Sequence, residues 1–395
     1  MSGLYAAWFY FLFDRELYFV LHSDFLREIY VFLSKVFFLI ICFYALKKIN
    51  IKNKETTVLC MLLPVFEMLV STIYNDGDLR RVVMMVYPVM GMLALVMVQC
   101  TSKVSIAKFV QVLSNLYFWL VTINFIFLII VPNFFINSAS TSGDEFFLGI
   151  ENQIGYPLVK GFLFCYLDSL FTHRNTKLYL YSIMHCVTIF LIFSGSNLIG
   201  YLCMLAMIIK TPIRKALTSI SLGKVIIVFV ALFCGLFIFE LLVILLQSSW
   251  LEYIIVELLG KSLTLTDRTS IWAMVVNDFF NSPWLGYGVR DTVDLFLYNN
   301  LYFSAHNQYL QSLYESGICY FIALIPFVKL FSDRMDRSAL HVRRAISAAF
   351  LATMIMALGE APGMDKILMI SILGIGVSGY FIPTPDMIKN KFRKI

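Results

Sequence analysis

The chain has 395 residues, of which 60% are hydrophobic, 16% aromatic and only 14% charged, and its mean hydropathy is +0.81. Soluble domains are about 45–50% apolar and ~25% charged, so a single water-soluble core is excluded. The net charge of +6 therefore bears on membrane orientation rather than on nucleic acid.

Taken in chain order, the first apolar stretch, 4–21, is interrupted by Asp14, Arg15 and Glu16. That triplet argues against a cleavable signal peptide and is costly in lipid. The stretch lies at the interface or spans while shielded by neighbours. A helix crossing a bilayer needs about 20 mainly apolar residues. Apolar cores fall near 29–46, 57–74, 82–99, 109–131, 157–172, 178–194, 197–210, 225–247, 312–331, 345–358 and 367–383. The predicted fold is all-α: one polytopic transmembrane helix bundle over 1–395, with about 11–12 spans and one large external loop, 248–305. The eight cysteines lie mostly inside apolar runs, with no CxxC pair or metal spacing. They read as small buried hydrophobes.

Orientation follows from lysine and arginine. Loops 47–55, 100–108, 173–177, 210–224, 332–344 and 386–395 hold 20 of them; the alternate loops 75–81, 132–156, 195–196, 248–305 and 359–366 hold six. The positive-inside rule places the first set, and the C-terminus, in the cytoplasm. His306 then lies outside, at the end of the long loop.

That loop carries the sparse external arginines, Arg268 and Arg290. "LTDRTSIWAMVVNDFFNSPWLGYG" reads as a helix from near Thr266 to before Pro283, capped by Thr266 or Asp267, with Arg268 in its first turn and Trp272 on the same face. A proline and two glycines then break the chain. Ser304 reads as the N-cap of the next helix, which puts His306 in its first turn. Trp272 and Trp284 suit interfacial anchoring more often than sugar stacking, although an amphipathic ring serves both, and Trp272 is a substrate-binding candidate. Glu67, Asp168 and Glu240 fall within spans, where carboxylates are functional suspects by default.

"DRTSIWAMVVNDFFNSPWLGYG" followed by "AHNQYLQSLYESGICY" resembles the O-antigen polymerase and ligase superfamily. Its members show an arginine, a tryptophan a few residues on, a Pro-x-x-Gly-x-Gly turn, and His-Asn before a membrane helix. The resemblance covers Arg268, Trp272, Pro283, Gly286, Gly288, His306, Asn307 and Gly317. Outside 260–320 it rests on hydropathy and on the acidic "FLGIENQIGYP" loop. It implies a membrane glycosyltransferase of the bacterial inner membrane, taking a glycan from undecaprenyl pyrophosphate to an acceptor sugar hydroxyl. No cofactor or metal and no nucleic-acid partner is expected. The implied partners are the lipid-linked oligosaccharide, the bilayer and, as a candidate, a chain-length regulator.

Such a transfer needs a base for the hydroxyl and positive charge for the departing pyrophosphate. Neutral His306 can take the proton, and a helix N-terminus, with roughly half a positive charge, favours the neutral ring. Arg268 can pair bidentately with phosphate oxygens. Arg290, Arg80 and Arg81 are candidate substrate-binding residues by location, and Asn307 would orient His306 or the acceptor. The bland alternatives are a helix-end histidine, an Arg268 paired with Asp267 or Glu257, and an Arg290 that only ties its loop.

The chain also departs from the family. An "SGSR"-like stretch is here "SGSN", with Asn197 in the arginine's place, and Tyr320 stands where ligases carry a small residue. Many polymerases carry that arginine too, so the departures count against a ligase and, to a smaller degree, against the full catalytic set. Asp76 and Asp78 in "YNDGDLRR" offer a competing metal-site reading, although Asn-Asp-Gly is also ordinary turn chemistry. A flippase of lipid-linked sugars is a third reading. Such a protein should spread polar residues along several helices rather than gather them in one loop.

The charge asymmetry predicts that reporter fusions at Leu297 and Ser338 give opposite compartment signals. The same signal at both sites would end this topology.

Overall fold

The computed structural model describes residues 24–48, 55–99, 103–130, 145–192, 194–209, 221–227, 230, 268–290, 293–295, 300–302 and 304–378. The predicted stretch 4–21, nearly all of 225–247, Glu240 and the loop segment 248–267 fall outside these residues. The described elements are α1 (Asp24–Lys48), α2 (Glu55–Tyr74), α3 (Leu79–Gln99), α4 (Lys103–Ile130), α5 (Gly155–Thr172), α6 (Thr176–Ile192), α7 (Gly195–Ile208), α8 (Arg268–Phe279), α9 (Gln308–Arg337), α10 (Leu340–Gly359) and α11 (Met364–Ser378). Two antiparallel ribbons complete them: β1 (Glu145–Phe146) with β2 (Gly149–Ile150), and β3 (Val293–Leu295) with β4 (Asn300–Tyr302).

The protein is an all-α polytopic bundle. Among the described residues, six helices are long and apolar enough to cross a membrane: α1, α2, α3, α4, α9 and α10. The helices α6, α7 and the apolar part of α11 are shorter. Each predicted core inside the described residues coincides with one of these helices or with α5.

Lipid explains the surface. Phe25, Phe32, Leu39 and Phe43 of α1, and Leu59, Phe66 and Ile73 of α2, are exposed, as side chains facing acyl tails should be. The interior forms where helices cover each other: α10 packs along α7, α5 and α11, α9 along α2, and α11 along α3 and α9. Inside are small and flexible side chains such as Ala345, Ala348, Ala349, Ala352 and Met356, which let α10 lie close to its neighbours. Of the carboxylates within spans, Asp168 is paired, its Oδ2 2.8 Å from Lys177 Nζ. The Glu67 oxygens are buried with no hydrogen-bond partner among the described residues.

The decisive irregularity is in α9. Gly317 has φ 64 and ψ −165, so the helix breaks there into 308–316 and 318–337. A break frees carbonyls before it and amides after it, and inside a membrane protein these need protein partners. The turn 283–288 supplies them. The amides of Tyr287 and Gly288 donate to the carbonyls of Tyr314 and Glu315, both at 2.8 Å, while Ile318 and Cys319 donate to the carbonyls of Pro283 and Trp284 at 2.9 and 3.1 Å. Backbones this close leave no room for a Cβ. One at Gly317 would meet the Trp284 carbonyl and stand 2.7 Å from the Leu285 amide nitrogen. One at Gly286 (φ 64) would meet the Tyr314 carbonyl and stand 2.7 Å from the Ser316 amide nitrogen.

The helix α2 locks the same junction. Ser71 Oγ donates to the carbonyl of Leu285 and, at 2.9 Å, to that of Glu315. Thr72 Oγ1 accepts from the Val289 amide at 3.2 Å, and the Asp78 amide donates to the Val289 carbonyl at 2.8 Å.

Gly317→Ala should therefore lose much of the stably folded protein. The left-handed backbone alone costs an alanine about 1–3 kcal/mol, and the clash with Trp284 adds to it. Thermal unfolding of the purified protein checks this; an unchanged midpoint would mean that the junction is not needed for the fold.

Candidate active site

The junction sets the position of everything at the end of the bundle that carries His306. The helix α8 packs on the first half of α9 through Ile271, Val275, Leu310 and Tyr314, with Ala305 in the same cluster. Tyr287 stacks on Tyr314 at 4.9 Å and donates its hydroxyl to the Asp278 carbonyl at 2.8 Å. Trp272 Nε1 donates to the Ala305 carbonyl at 2.9 Å. Arg268 opens α8 one helical turn before Trp272.

The predicted cap is corrected by the structure. Asn307, not Ser304, is the N-cap of α9: its backbone is extended (φ −154, ψ 116), and its Oδ1 accepts from the amides of Tyr309 at 3.0 Å and Leu310 at 3.2 Å. His306 thus precedes the helix rather than lying in its first turn. Its backbone is left-handed, φ 49, which is costly for a residue with a Cβ. The Ser304 hydroxyl accepts from the His306 amide at 3.2 Å, and Gln311 Oε1 accepts from the Ala305 amide at 2.8 Å. These bonds hold the turn that carries the imidazole.

His306 Nδ1 is 3.6 Å from Glu360 Oε1. Glu360 ends α10 and is buried, whereas the imidazole is about one-third exposed. The separation is longer than an ordinary hydrogen bond and suits an ion pair once the ring is protonated. The Glu360 backbone is fixed as well: its carbonyl accepts from the Gln308 amide at 3.2 Å, and the Gly363 amide donates to Gln308 Oε1 at 2.6 Å. Tyr309 donates its hydroxyl to the Met354 carbonyl at 2.9 Å. Glu360 was not foreseen from the sequence. The available signal was a glutamate before a proline in the short loop 359–366, but spacing alone says nothing of its pairing with His306.

The other predicted residues sit around this core. Arg290 donates Nη2 to the Asn75 carbonyl at 2.9 Å and Nε to the Tyr287 carbonyl at 3.2 Å, tying the 285–290 turn to the loop after α2. Arg81 lies half-buried in the first turn of α3, where its charge acts on the buried Glu315. Glu315 Oε1 accepts from Gln311 Nε2 at 2.7 Å. Arg80 is exposed. Asp78 accepts from the Arg81 amide at 3.1 Å, and Asp76 occupies a positive-φ turn position, so turn chemistry accounts for both. Asn197 is buried in the first turn of α7, and its Nδ2 donates to the Glu151 carbonyl at 2.9 Å. Tyr320 is buried in the core just past the α9 break.

An imidazole that water can reach, backed by a buried carboxylate, can take a proton and hold the resulting charge.

Asn307→Ala should lower stability by about 0.5–2 kcal/mol through loss of the cap, and Asn307→Asp should retain it. Thermal unfolding of the two variants checks this. Equal midpoints for Asn307→Ala and wild type would mean that the side chain serves only a substrate.

Comparison with known proteins fits this arrangement. Residues 180–325 match the family model for O-antigen ligase (Wzy_C). No curated protein matches the chain. The matched segment takes in Arg268, Trp272, the glycine turn, His306, Asn307 and Gly317, so over those residues this multi-pass membrane protein is similar to the O-antigen polymerase and ligase superfamily.

Proposed function

We propose that this protein is a polysaccharide repeat-unit polymerase, acting on O-antigen or capsule, that transfers glycan from undecaprenyl pyrophosphate to an acceptor sugar hydroxyl at the outer face of the bacterial inner membrane. The observation that carries this reading is the His306–Glu360 pair, standing 3.6 Å apart at the mouth of the bundle. The helix that begins with Arg268 holds the turn in place through Trp272.

The chemistry follows from that geometry. With Nδ1 turned to Glu360, Nε2 is the nitrogen left to receive a proton. The acceptor hydroxyl oxygen forms a bond to the anomeric carbon of the donor glycan as its proton passes to His306. The bond from that carbon to the pyrophosphate oxygen breaks, and its electron pair leaves with the pyrophosphate. Glu360 stabilises the imidazolium formed. Arg268 meets the departing phosphates, which a guanidinium grips bidentately. Because cationic side chains neutralise the leaving group, a chelator should leave activity intact.

The ligase reading is kept alive by the family description itself. The buried Asn197 and Tyr320 support the polymerase. Surface polysaccharide from a deletion strain separates the readings. Single repeats still attached to lipid A core, with long chains gone, indicate the polymerase. Loss of all repeats from the core indicates a ligase, and lipid-linked repeats retained on the cytoplasmic face indicate a flippase.

His306→Ala should lower the rate by about 10²–10⁴-fold while the protein still inserts normally. Glu360→Gln should also slow turnover, because the imidazolium loses its counter-charge. Arg268→Lys should lose much of its activity, since a point charge cannot reproduce the bidentate grip. The measurement is turnover of purified variants on lipid-linked repeat, with and without chelator. Full activity in His306→Ala returns that residue to a helix-end role, and loss of activity with chelator turns attention to Asp76 and Asp78.

A further inference from the structure

We infer that Lys366, seated on Tyr156, is a second cation, with Arg268, that receives the diphosphate of the lipid-linked donor beside the His306–Glu360 pair; this assignment rests on the transfer reaction proposed above. A leaving diphosphate needs positive charge that is close to the base and fixed in place. Lys366 satisfies both requirements.

Its position is fixed by the same short connection that delivers Glu360. That connection is tied to α9 at Gln308, two residues past His306, by the Gln308–Glu360 and Gly363–Gln308 hydrogen bonds of 3.2 and 2.6 Å. The Lys366 amide then donates to the Gly363 carbonyl at 3.2 Å. Within the described residues Lys366 is therefore tethered to the His306 turn through few bonds, and it stays partly exposed at that end of the bundle.

Its ammonium lies 5.5 Å over the Tyr156 ring. A cation over an aromatic face is attracted by the ring quadrupole. Tyr156 itself is buried in the first turn of α5. The preceding Gly155 is pressed against Asn197 and against Met356, one helical turn before Glu360 on α10. So the start of α5 stands beside the last turns of the helix that carries Glu360. One turn deeper on α5 is Lys160, whose side chain is buried. An arriving anion gains from a cation already held in place.

The test uses the full-length enzyme in lipid nanodiscs. Binding is measured with undecaprenyl pyrophosphate and with undecaprenyl monophosphate, and turnover with lipid-linked repeat. Lys366→Gln should weaken pyrophosphate-lipid binding and raise the donor KM by about tenfold, the worth of one charge-assisted contact, with a smaller effect on kcat. The monophosphate lipid should lose less, and Lys366→Arg should recover most of the binding. Tyr156→Phe keeps the ring and should bind as wild type, whereas Tyr156→Leu should raise KM. Unchanged affinity and KM in a Lys366→Gln protein with wild-type thermal stability overturns the assignment, as does an equal loss for both lipids, which marks a general interfacial lysine. His306→Ala measured alongside separates the two claims. If it is inactive while Lys366→Gln binds normally, the transferase reading stands and only the lysine assignment falls. If it is fully active, the reaction proposed for this site falls first.

Discussion

The whole His306 end of the molecule depends on one requirement: a backbone broken inside the bundle must find new hydrogen-bond partners. In a setting with little water, an unmatched amide or carbonyl costs several kcal/mol. The break at Gly317 leaves such groups on both sides, and the turn 283–288 matches them with four backbone bonds. The same bonds fasten a connecting segment to a membrane helix as firmly as one strand to another. Ser71 and Thr72 add α2 to the junction through side-chain oxygens. Once the turn is fixed, α8 has a floor to pack on, and Trp272 can reach the Ala305 carbonyl. His306 owes its position to a glycine eleven residues further along the chain.

Around that frame, the polar groups divide the work. Asn307 spends its side chain on the helix end, so the first amides of α9 do not face the imidazole unmet. Glu360 enters from a different helix and supplies the negative charge opposite the ring. Gln311 connects the turn before the helix to Glu315, and Arg81 balances that buried carboxylate from α3. Buried polar networks of this kind are favourable only when nearly every member is satisfied. Here the partners come from three separate stretches of chain: α9 with the turn before it, the end of α10, and α3.

Much of this was legible in the sequence because hydropathy reports directly on the solvent a helix faces. The spans around α1 to α7 and α9 to α11 follow from apolar runs alone. The glycines at 286, 288 and 317 were visible as motif members, and their positive φ values supply the physical reason. The cap was misassigned because Ser304 and Asn307 are both good cap residues three positions apart, and only the left-handed turn at His306 decides between them. Glu360 was invisible for a different reason. It lies 54 residues after His306 in the chain, across a full helical hairpin, and the pairing of loop residues over such distances depends on how helices pack. Asn197 stood out as a departure from a family pattern, but its hydrogen bond to Glu151 could not be read from residue type.

The spread of the junction along the chain has a consequence for synthesis. Ser71 meets Leu285 and Glu315, partners that follow it by 214 and 244 residues. Glu360 and the Gly363 amide arrive later still, on the connection that leads into α11. A chain made from its N-terminus therefore holds its early helices in the bilayer with Ser71 unmatched until most of the protein has been inserted. The imidazole gains its carboxylate only as the closing helices fold in. Assembly of the His306–Glu360 pair is thus among the last events of biogenesis, and a stalled or truncated chain would occupy the membrane without it.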